Sequence, residues 1–130
     1  LAIFLSRKWN MDLTYSFMGT TEFLNPLTKA EESVNAPKHK AGLKIQYNPV
    51  KYPLTVSLNG RYVDSFDWSS GIYYGKINAY SILDLHLGYE INKNIKMNFT
   101  INNLLDHNHT EIIGGPSLGR VMMLRLETKL

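Results

Sequence analysis

Residues 83–101 read LDLHLGYEINKNIKMNFTI, and this stretch decides the fold. Its odd-numbered positions are almost all apolar, and the even-numbered positions between them are mostly polar. Because successive side chains of a β-strand point to opposite faces, the pattern predicts two strands, each with one apolar and one polar face. Asn92-Lys93-Asn94 predicts the tight turn between them, since asparagine tolerates the positive φ angles that short turns require.

The same alternation recurs along the whole chain and predicts seven strands, of which the first is incomplete. The predicted strands are Leu1–Leu5, Met11–Phe23, His39–Tyr47, Leu54–Asp64, Tyr80–Ile91, Ile95–Asp106 and Arg120–Leu130. No segment of useful length has helical periodicity. The sequence therefore predicts an all-β protein.

The connections between these strands alternate strictly between short and long. The short ones are Ser6–Asn10, Asn48–Pro53 and Asn92–Asn94, and the long ones are Leu24–Lys38, Ser65–Ala79 and His107–Gly119. An antiparallel meander with short turns at one end and long loops at the other is typical of outer-membrane barrels. Alternation alone leaves open which face meets water, because a soluble lipocalin-like barrel turns its apolar face inward.

Tyrosines near the ends of the apolar faces favour the membrane barrel. Tyr47, Tyr62 and Tyr89 occupy the positions expected of an interfacial aromatic girdle. The opposite face carries charges and amides, which suits a wet lumen filled by protein. It would equally suit a solvated exterior.

Composition excludes several classes of protein. The chain has 130 residues, no cysteine and a formal net charge of +3. It is one domain at most or a piece of a larger one, with no disulfide scaffold and no cysteine-based metal site or nucleophile. Lysine and arginine are too dispersed to indicate nucleic-acid binding. The longest apolar run, Leu1–Leu5, lacks an initiator Met, a basic leader and a cleavage site, so we expect a truncated chain rather than a signal peptide.

The C-terminal third carries a recognisable pattern. Ile101–Asp106 (INNLLD), followed by Gly114-Gly115-Pro116 and the pair Gly119-Arg120, resembles the closing hairpin of TonB-dependent outer-membrane receptors. In that family an Asn-Leu-(aromatic or Leu)-Asp element ends the penultimate strand, and a Gly-Arg pair opens the last. The matching residues here, expected to be structural, are Asn103, Leu104, Asp106, Gly119 and Arg120.

Two further segments resemble the family, and one position departs from it. Residues 35–39 (NAPKH) are similar to the pattern before a late barrel strand, and residues 60–64 (GRYVD) are a weaker match in the next strand. Members of the family usually end on an aromatic residue that the assembly machinery recognises. This chain ends on Leu130, which either weakens that signal or substitutes for it.

The resemblance implies a fold, a location and a function. Residues 1–130 would be the last seven strands of an antiparallel up-and-down transmembrane barrel that has about 22 strands in the family. The location implied is the outer membrane of a Gram-negative bacterium. The function implied is uptake of a scarce nutrient, such as a ferric siderophore, cobalamin or an oligosaccharide. The implied partners are outer-membrane lipid, a plug domain of the same protein and TonB, the last two through sequence outside this chain.

Two other functions stay open on the residues alone. One is an autonomous small outer-membrane barrel with a structural or adhesion role. The other is a soluble lipocalin-like ligand-binding barrel. We expect neither enzymatic activity nor a cofactor, because no Ser, His and Asp stand in a recognisable catalytic arrangement.

Aromatic residues in the loop between residues 64 and 80 are the candidate ligand contacts. Trp68, Tyr73 and Tyr74 could stack on sugars or on an aromatic chelate, or could instead pack against neighbouring loops or form the outer aromatic girdle. His107 and His109 have the i, i+2 spacing of metal ligands on a strand, but no third ligand is evident. We therefore expect solvated loop histidines and no metal site.

Charged residues on the polar face are expected to pair with one another. The acidic residues are Asp84, Glu90 and Glu127, and the basic ones are Lys96, Arg125 and Lys129. Ion pairs across adjacent strands are commoner there than an acid–base pair for catalysis.

Overall fold

A computed structural model describes residues 2–4 and 6–129 of the chain. Within these residues the chain forms strands and no helix. The strands are β1 (Ala2–Phe4), β2 (Trp9–Phe17), β3 (Glu22–Leu24), β4 (Glu31–Ser33), β5 (His39–Tyr47), β6 (Leu54–Val63), β7 (Phe66–Ser70), β8 (Tyr73–Ile77), β9 (Tyr80–Asn92), β10 (Ile95–Asn102) and β11 (Val121–Thr128).

Seven of these strands form one antiparallel sheet in the order β1-β2-β5-β6-β9-β10-β11. The predicted seven-stranded meander is confirmed, and its edges are β1 and β11. The register aligns apolar positions across the sheet, and one row runs Met11, Ile45, Leu58, Leu85, Ile101, Met122. The row beside it on the other face runs Asp12, Lys44, Asn59, Asp84. Each strand thus presents its apolar residues to one face of the sheet and its polar residues to the other.

Two of the long connections contain structure that the sequence analysis missed. The strand predicted to reach Phe23 ends at Phe17, after which Met18 N–H donates to the carbonyl of Lys38 and Gly19 follows. Residues 22–24 belong instead to a hairpin of β3 with β4. The predicted loop Ser65–Ala79 holds a second hairpin, β7 with β8, which turns at Gly71 with a φ of 60°. The sequence analysis identified these connections as long loops but did not identify the hairpins within them.

Strand ends differ from the prediction elsewhere as well. The strand predicted to end at Asp106 ends at Asn102, because Asn103 takes a positive φ of 57° that an extended strand cannot continue. The last strand covers Val121–Thr128. Leu1, Leu5 and Leu130, and with Leu130 the expected assembly signal, lie outside the described residues.

The turn between β9 and β10 forms where it was predicted, but the stated reason was wrong. Neither Asn92 nor Asn94 has a positive φ. Asn92 Oδ1 instead accepts the backbone N–H groups of Asn94 and Ile95, both at 2.9 Å, which closes the turn through the side chain. The register shifts beside the turn, so that Ile95 faces Asn92 and Lys96 faces Glu90, and Ile91 is the extra residue of a β-bulge.

The described residues leave the apolar face of the sheet uncovered. Leu13, Leu43, Tyr89, Leu124 and Leu126 are all exposed there. The ends of this face carry aromatic rings, with Trp9 against Tyr47 at the short-turn end, where the ring centroids lie 4.4 Å apart. At the long-loop end the aromatic residues are Tyr15, Phe17 and Tyr62.

The buried cluster lies on the opposite, mostly polar face. Val63, Ile77, Tyr80 and Ile82 are buried together, and Phe66, Trp68 and Ile113 pack against them. Val63, Tyr80 and Ile82 belong to the sheet at its long-loop end, whereas the other members come from the long loops. The long loops therefore fold over the polar face, which is the reverse of a lipocalin, where the apolar face is the covered one.

The search for membrane-spanning helices found none of sufficient length and apolarity among the described residues.

Candidate ligand cavity

A cavity of about 690 Å³ lies between the polar face of the sheet and the loops folded over it. Its floor is built from β2, β5 and β6, with Thr14, Ser16, Lys40, Gly42, Asn59 and Arg61 among the lining residues. Asn35, Pro37, Phe66, Trp68, Glu111 and Ile112 line it from the loops. The alternation of the strands places the floor residues on one face, and the loops bring aromatic rings over them.

The floor is flat at Gly42. A Cβ at this position would lie 2.6 Å from Thr14 Oγ1, so any larger residue requires the neighbouring side chain to move. Glycine inside a strand is common where another group approaches the backbone closely. Here the group that approaches is the side chain of Thr14.

Hydrogen bonds join the two loop hairpins beside the cavity. Ser33 Oγ donates to the carbonyl oxygen of Asp67 at 2.5 Å. Asn35 Nδ2 donates to the carbonyl of Ser69 at 2.8 Å, and Asn35 Oδ1 accepts the N–H of Ser69 at 2.7 Å. Asn35 has a φ of 59°, a conformation that asparagine tolerates better than most residues. The β4 and β7 segments are thus held side by side through side chains rather than through a backbone ladder.

A charged network connects the third long loop to the floor. Arg61 Nη2 lies 3.1 Å from Glu111 Oε1, and His109 Nε2 lies 3.2 Å from the same oxygen. His109 Nδ1 lies 3.1 Å from the carbonyl oxygen of His107. A carboxylate and a carbonyl both accept, so both contacts are hydrogen bonds only when each ring nitrogen carries a proton. The ring of His109 also packs on Tyr80, with ring centroids 4.5 Å apart.

The three predicted ligand contacts are not brought together. Trp68 is half-buried and lines the cavity. Tyr73 lies on the same face of the β7–β8 hairpin, but its ring lies against Gly114, where an added Cβ would be 3.2 Å from Tyr73 Cδ1. Tyr74 is on the opposite face of the hairpin and is 79% exposed. Only Trp68 of the three lines the cavity.

The motif residues lie together where β10 ends. Asn103 is 3% exposed, and its amide donates to the carbonyl of His107 at 2.9 Å and accepts the N–H of His107 at 3.0 Å. Its own N–H donates to Asp84 Oδ1 at 2.8 Å, while the N–H of Leu104 donates to the carbonyl of Leu83.

The second half of the motif ties the base of the loop to the last strand. Asp106, with a φ of 54°, accepts the N–H of Arg120 at 2.8 Å and faces its guanidinium at 3.4 Å. Gly119 lies beside this pair, and a Cβ there would be 3.3 Å from Asp106 Oδ1. We propose that the five motif residues form a structural joint and do not contact ligand.

Sequence reasoning missed the charged residues that line the cavity, Lys40, Arg61 and Glu111, and also missed the burial of His109 beside Glu111. His109 was expected to be solvated, but it is 8% exposed, because the loop folds back onto Tyr80. The expected pairing across strands also fails for Glu127, which accepts from Asn98 Nδ2 at 3.1 Å and lies 3.9 Å from Arg125 of its own strand. The alternation of β5 and β6, which places Lys40 and Arg61 on one face, was the signal available. In the described part of the chain no three or more His, Asp or Glu side chains form a group that could hold a metal ion.

Comparison with protein families gives a match over most of the chain. A family model described as TonB dependent receptor-like, beta-barrel matches residues 3–104. The chain belongs to this family. The resemblance drawn from the sequence motifs is therefore confirmed. A search of curated proteins found no match.

Solved structures of the family share the fold. The ferric-catecholate import receptor Fiu from E. coli K12, in its open form, aligns with a TM-score of 0.69 at 20% identity, over 95% of this chain and 19% of that one. The siderophore receptor PiuA from Acinetobacter baumannii aligns with a TM-score of 0.71 at 20% identity, over 98% and 20% of the two chains. A mutant of the ferric enterobactin receptor PfeA from Pseudomonas aeruginosa, in complex with enterobactin, gives 0.73 at 16% identity over 98% and 21%. The chain spans about a fifth of the length of these receptors.

The fold assignment follows from these alignments together with the sheet. The chain is an all-β antiparallel segment of a larger receptor barrel. The family consists of transport receptors of the outer membrane rather than enzymes.

Proposed function

We propose that this chain is the C-terminal barrel segment of an outer-membrane receptor that imports a ferric siderophore. The single observation that carries the proposal is the cavity under the long loops. Its floor presents Lys40 and Arg61, and aromatic residues including Trp68 and Tyr80 line it. Cations with adjacent aromatic rings suit an anionic chelate with an aromatic ligand shell. Three of the structurally similar proteins carry ferric-catecholate, siderophore or ferric enterobactin in their names.

The surface of the sheet supports a place in the outer membrane. The uncovered apolar face carries aliphatic rows with aromatic residues at both ends, which is the surface of a barrel wall in lipid. The long strands β2, β5, β6 and β9 have 9 to 13 residues, and about 9–11 residues are needed for a tilted strand to cross a bilayer. We place the long-loop end outside the cell and the short-turn end in the periplasm.

The rest of the receptor supplies what this segment lacks for transport. Both sheet edges, β1 and β11, require partner strands, because unpaired backbone groups are costly in lipid. We propose that earlier strands of the same protein complete the barrel of about 22 strands. A plug domain of the same protein fills the polar lumen and engages TonB.

Uptake in cells tests the proposal. In the native bacterium, an in-frame deletion of the gene that encodes this chain should abolish uptake of at least one radiolabelled ferric siderophore. Uptake of cobalamin and of oligosaccharides should remain unchanged. Restoring the gene on a plasmid is the control. Normal uptake of every ferric siderophore, together with loss of cobalamin or oligosaccharide uptake, would show that the ligand class is wrong.

A blot of fractionated cells tests the architecture separately. An antibody raised against residues 64–80 should detect a band several times larger than 14.9 kDa in the outer-membrane fraction. A band near 14.9 kDa in that fraction would instead favour an autonomous small barrel. A soluble band would favour a lipocalin-like protein.

A further inference from the structure

One carboxylate occupies the cationic side of the cavity. Glu111 comes from the loop between β10 and β11, and its Oε1 lies 3.1 Å from the guanidinium of Arg61 on the floor. The side chains of Arg61 and Glu111 are 45% and 36% exposed, so neither partner is sealed from solvent. The pair therefore stands where a ligand entering the cavity can reach it.

The same carboxylate also fastens the loop. Among the described residues, Arg61–Glu111 is the ion pair that joins this loop to the floor of the cavity. Elsewhere the loop is held to itself by the His109–Leu118 bridge and to Tyr80 by the ring of His109. Ile113 packs on the buried cluster, and Ile113 and Gly114 contact the β7–β8 hairpin. The base of the loop is held separately by Asp106 and Arg120. Breaking the Arg61–Glu111 pair would therefore loosen the loop around Glu111 and leave its packed residues and its base attached.

Lys40 is a second cation on the floor of the cavity, and a ligand can bind it without displacing a carboxylate. Lys40 lines the same cavity, and no ion-pair partner is found for it among the residues that the structure describes. An anion can thus bind at Lys40 before it meets Arg61. At Arg61 it must compete with Glu111, because both are acceptors for the same guanidinium hydrogens.

We propose that Glu111 is an internal counter-ion that an anionic ligand displaces from Arg61, and that this exchange both sets the charge selectivity of the cavity and loosens the loop around Glu111. The proposal rests on the proposed function and names the regulation of that site. Strongly anionic ligands gain enough binding free energy at Arg61 to replace Glu111. Neutral or cationic ligands do not displace Glu111, so the Arg61–Glu111 ion pair stays intact.

The experiment compares the full-length receptor with its Glu111→Gln variant, both purified in detergent. Glutamine keeps the size of the side chain and removes its charge. Glu127→Gln is the matched control, because it removes a carboxylate of β11 that lies outside the cavity lining. The probes are ferric enterobactin, a triply anionic complex, and ferrioxamine B, a cationic one. Binding is measured by quenching of intrinsic fluorescence, and loop mobility by hydrogen–deuterium exchange of residues 107–119.

We expect Glu111→Gln to bind ferric enterobactin about two- to fivefold more tightly than the parent, as removing a partly exposed competing charge allows. Binding of ferrioxamine B should not be strengthened. Without ligand, the loop of the variant should exchange as fast as the loop of the ligand-bound parent. Glu127→Gln should match the parent in all three measurements.

The two arms separate failure of this inference from failure of the proposed function. If the parent binds ferric enterobactin but Glu111→Gln changes neither affinity nor loop exchange, Glu111 is not a displaceable counter-ion, while the proposed function stands. If the parent binds neither probe and the gene deletion leaves uptake of every ferric siderophore normal, the proposed function fails. In that case unchanged exchange in ligand-free Glu111→Gln also overturns the proposed restraint of the loop by the Arg61–Glu111 pair, and faster exchange supports it.

Discussion

Asn103 and Asn92 use the same side chain in two different ways. Asn103 takes a positive φ and uses both ends of its amide to close a loop onto His107. Asn92 keeps an ordinary φ and only accepts, from the N–H groups of Asn94 and Ile95. The sequence predicts the turn at Asn92 but places Asn103 inside the predicted strand Ile95–Asp106, although asparagine favours turns in either way. The choice between them depends on the surrounding hydrogen bonds, which a single sequence does not reveal.

Replacing Asn103 tests the structural joint at this scale. Asn103→Ala removes the buried amide that pairs with the backbone of His107 and leaves a β-carbon in the left-handed region. We expect a loss of about 2 kcal/mol in the free energy of unfolding of the full-length barrel. Asn103→Gly should lose less, because glycine adopts this φ without strain. The measurement is the temperature at which the folded barrel disappears in semi-native electrophoresis.

The neighbouring residue provides the control for Asn103. Asn102 is exposed at the end of β10, where it pairs with Val121. Asn102→Ala should leave the transition temperature nearly unchanged. Equal effects of the substitutions at 102 and 103 would contradict a joint built on the buried amide.

At the scale of elements, long strands were predicted well and short hairpins were not. Strands of nine or more residues, such as β5 and β9, show several full periods of alternation. Strands β3 and β4 have three residues each, which is too short for a period of two to stand out from chance. Their pairing depends on the turn at Asn25, whose Oδ1 accepts the N–H of Leu27 at 2.9 Å, and on contacts with β7.

The hydrogen bonds between Asn35 and Ser69, which join the two loop hairpins, are expected to limit the mobility of these hairpins. Asn35→Ala removes both amide contacts with Ser69 and should raise hydrogen exchange in residues 66–70, because the N–H of Ser69 loses Asn35 Oδ1 as its acceptor. Asn25→Ala is the matched control, since Asn25 bonds only within residues 25–32. It should raise exchange there and leave residues 66–70 unchanged. An identical exchange profile for the two variants would show that the Asn35–Ser69 hydrogen bonds do not hold the hairpins together.

At the scale of the whole molecule, the sheet was predictable and the cavity was only partly so. Strand order and the two faces follow from alternation and from connection length, both of which are local properties of the sequence. Arg61 and Glu111, in contrast, are 50 residues apart and meet only because a long loop folds back over the sheet. Trp68 was identified from its residue type, whereas the position of Tyr74 on the outer side of its hairpin required the register of β7 and β8.

The assignment of the two faces can be tested with a single charge. Leu85 lies in the middle of an apolar row, and Ser57 lies on the polar face of the neighbouring strand. Leu85→Lys places a charge in lipid at a cost of about 2–4 kcal/mol. We expect the amount of full-length receptor in the outer membrane to fall sharply, measured by quantitative blotting. Ser57→Lys should leave the amount close to that of the parent. The opposite result would place the apolar face inside the barrel.

The two tryptophans of the chain lie on opposite sides of the sheet. Trp9 lies against Tyr47 at the short-turn end, among the aromatic residues proposed to meet the inner lipid surface. Trp68 lines the cavity proposed to receive the ligand. A brominated lipid should therefore quench the fluorescence of Trp9, whereas a bound iron chelate should quench the fluorescence of Trp68. Within this segment, one tryptophan therefore reports contact with lipid and the other reports binding of the ligand.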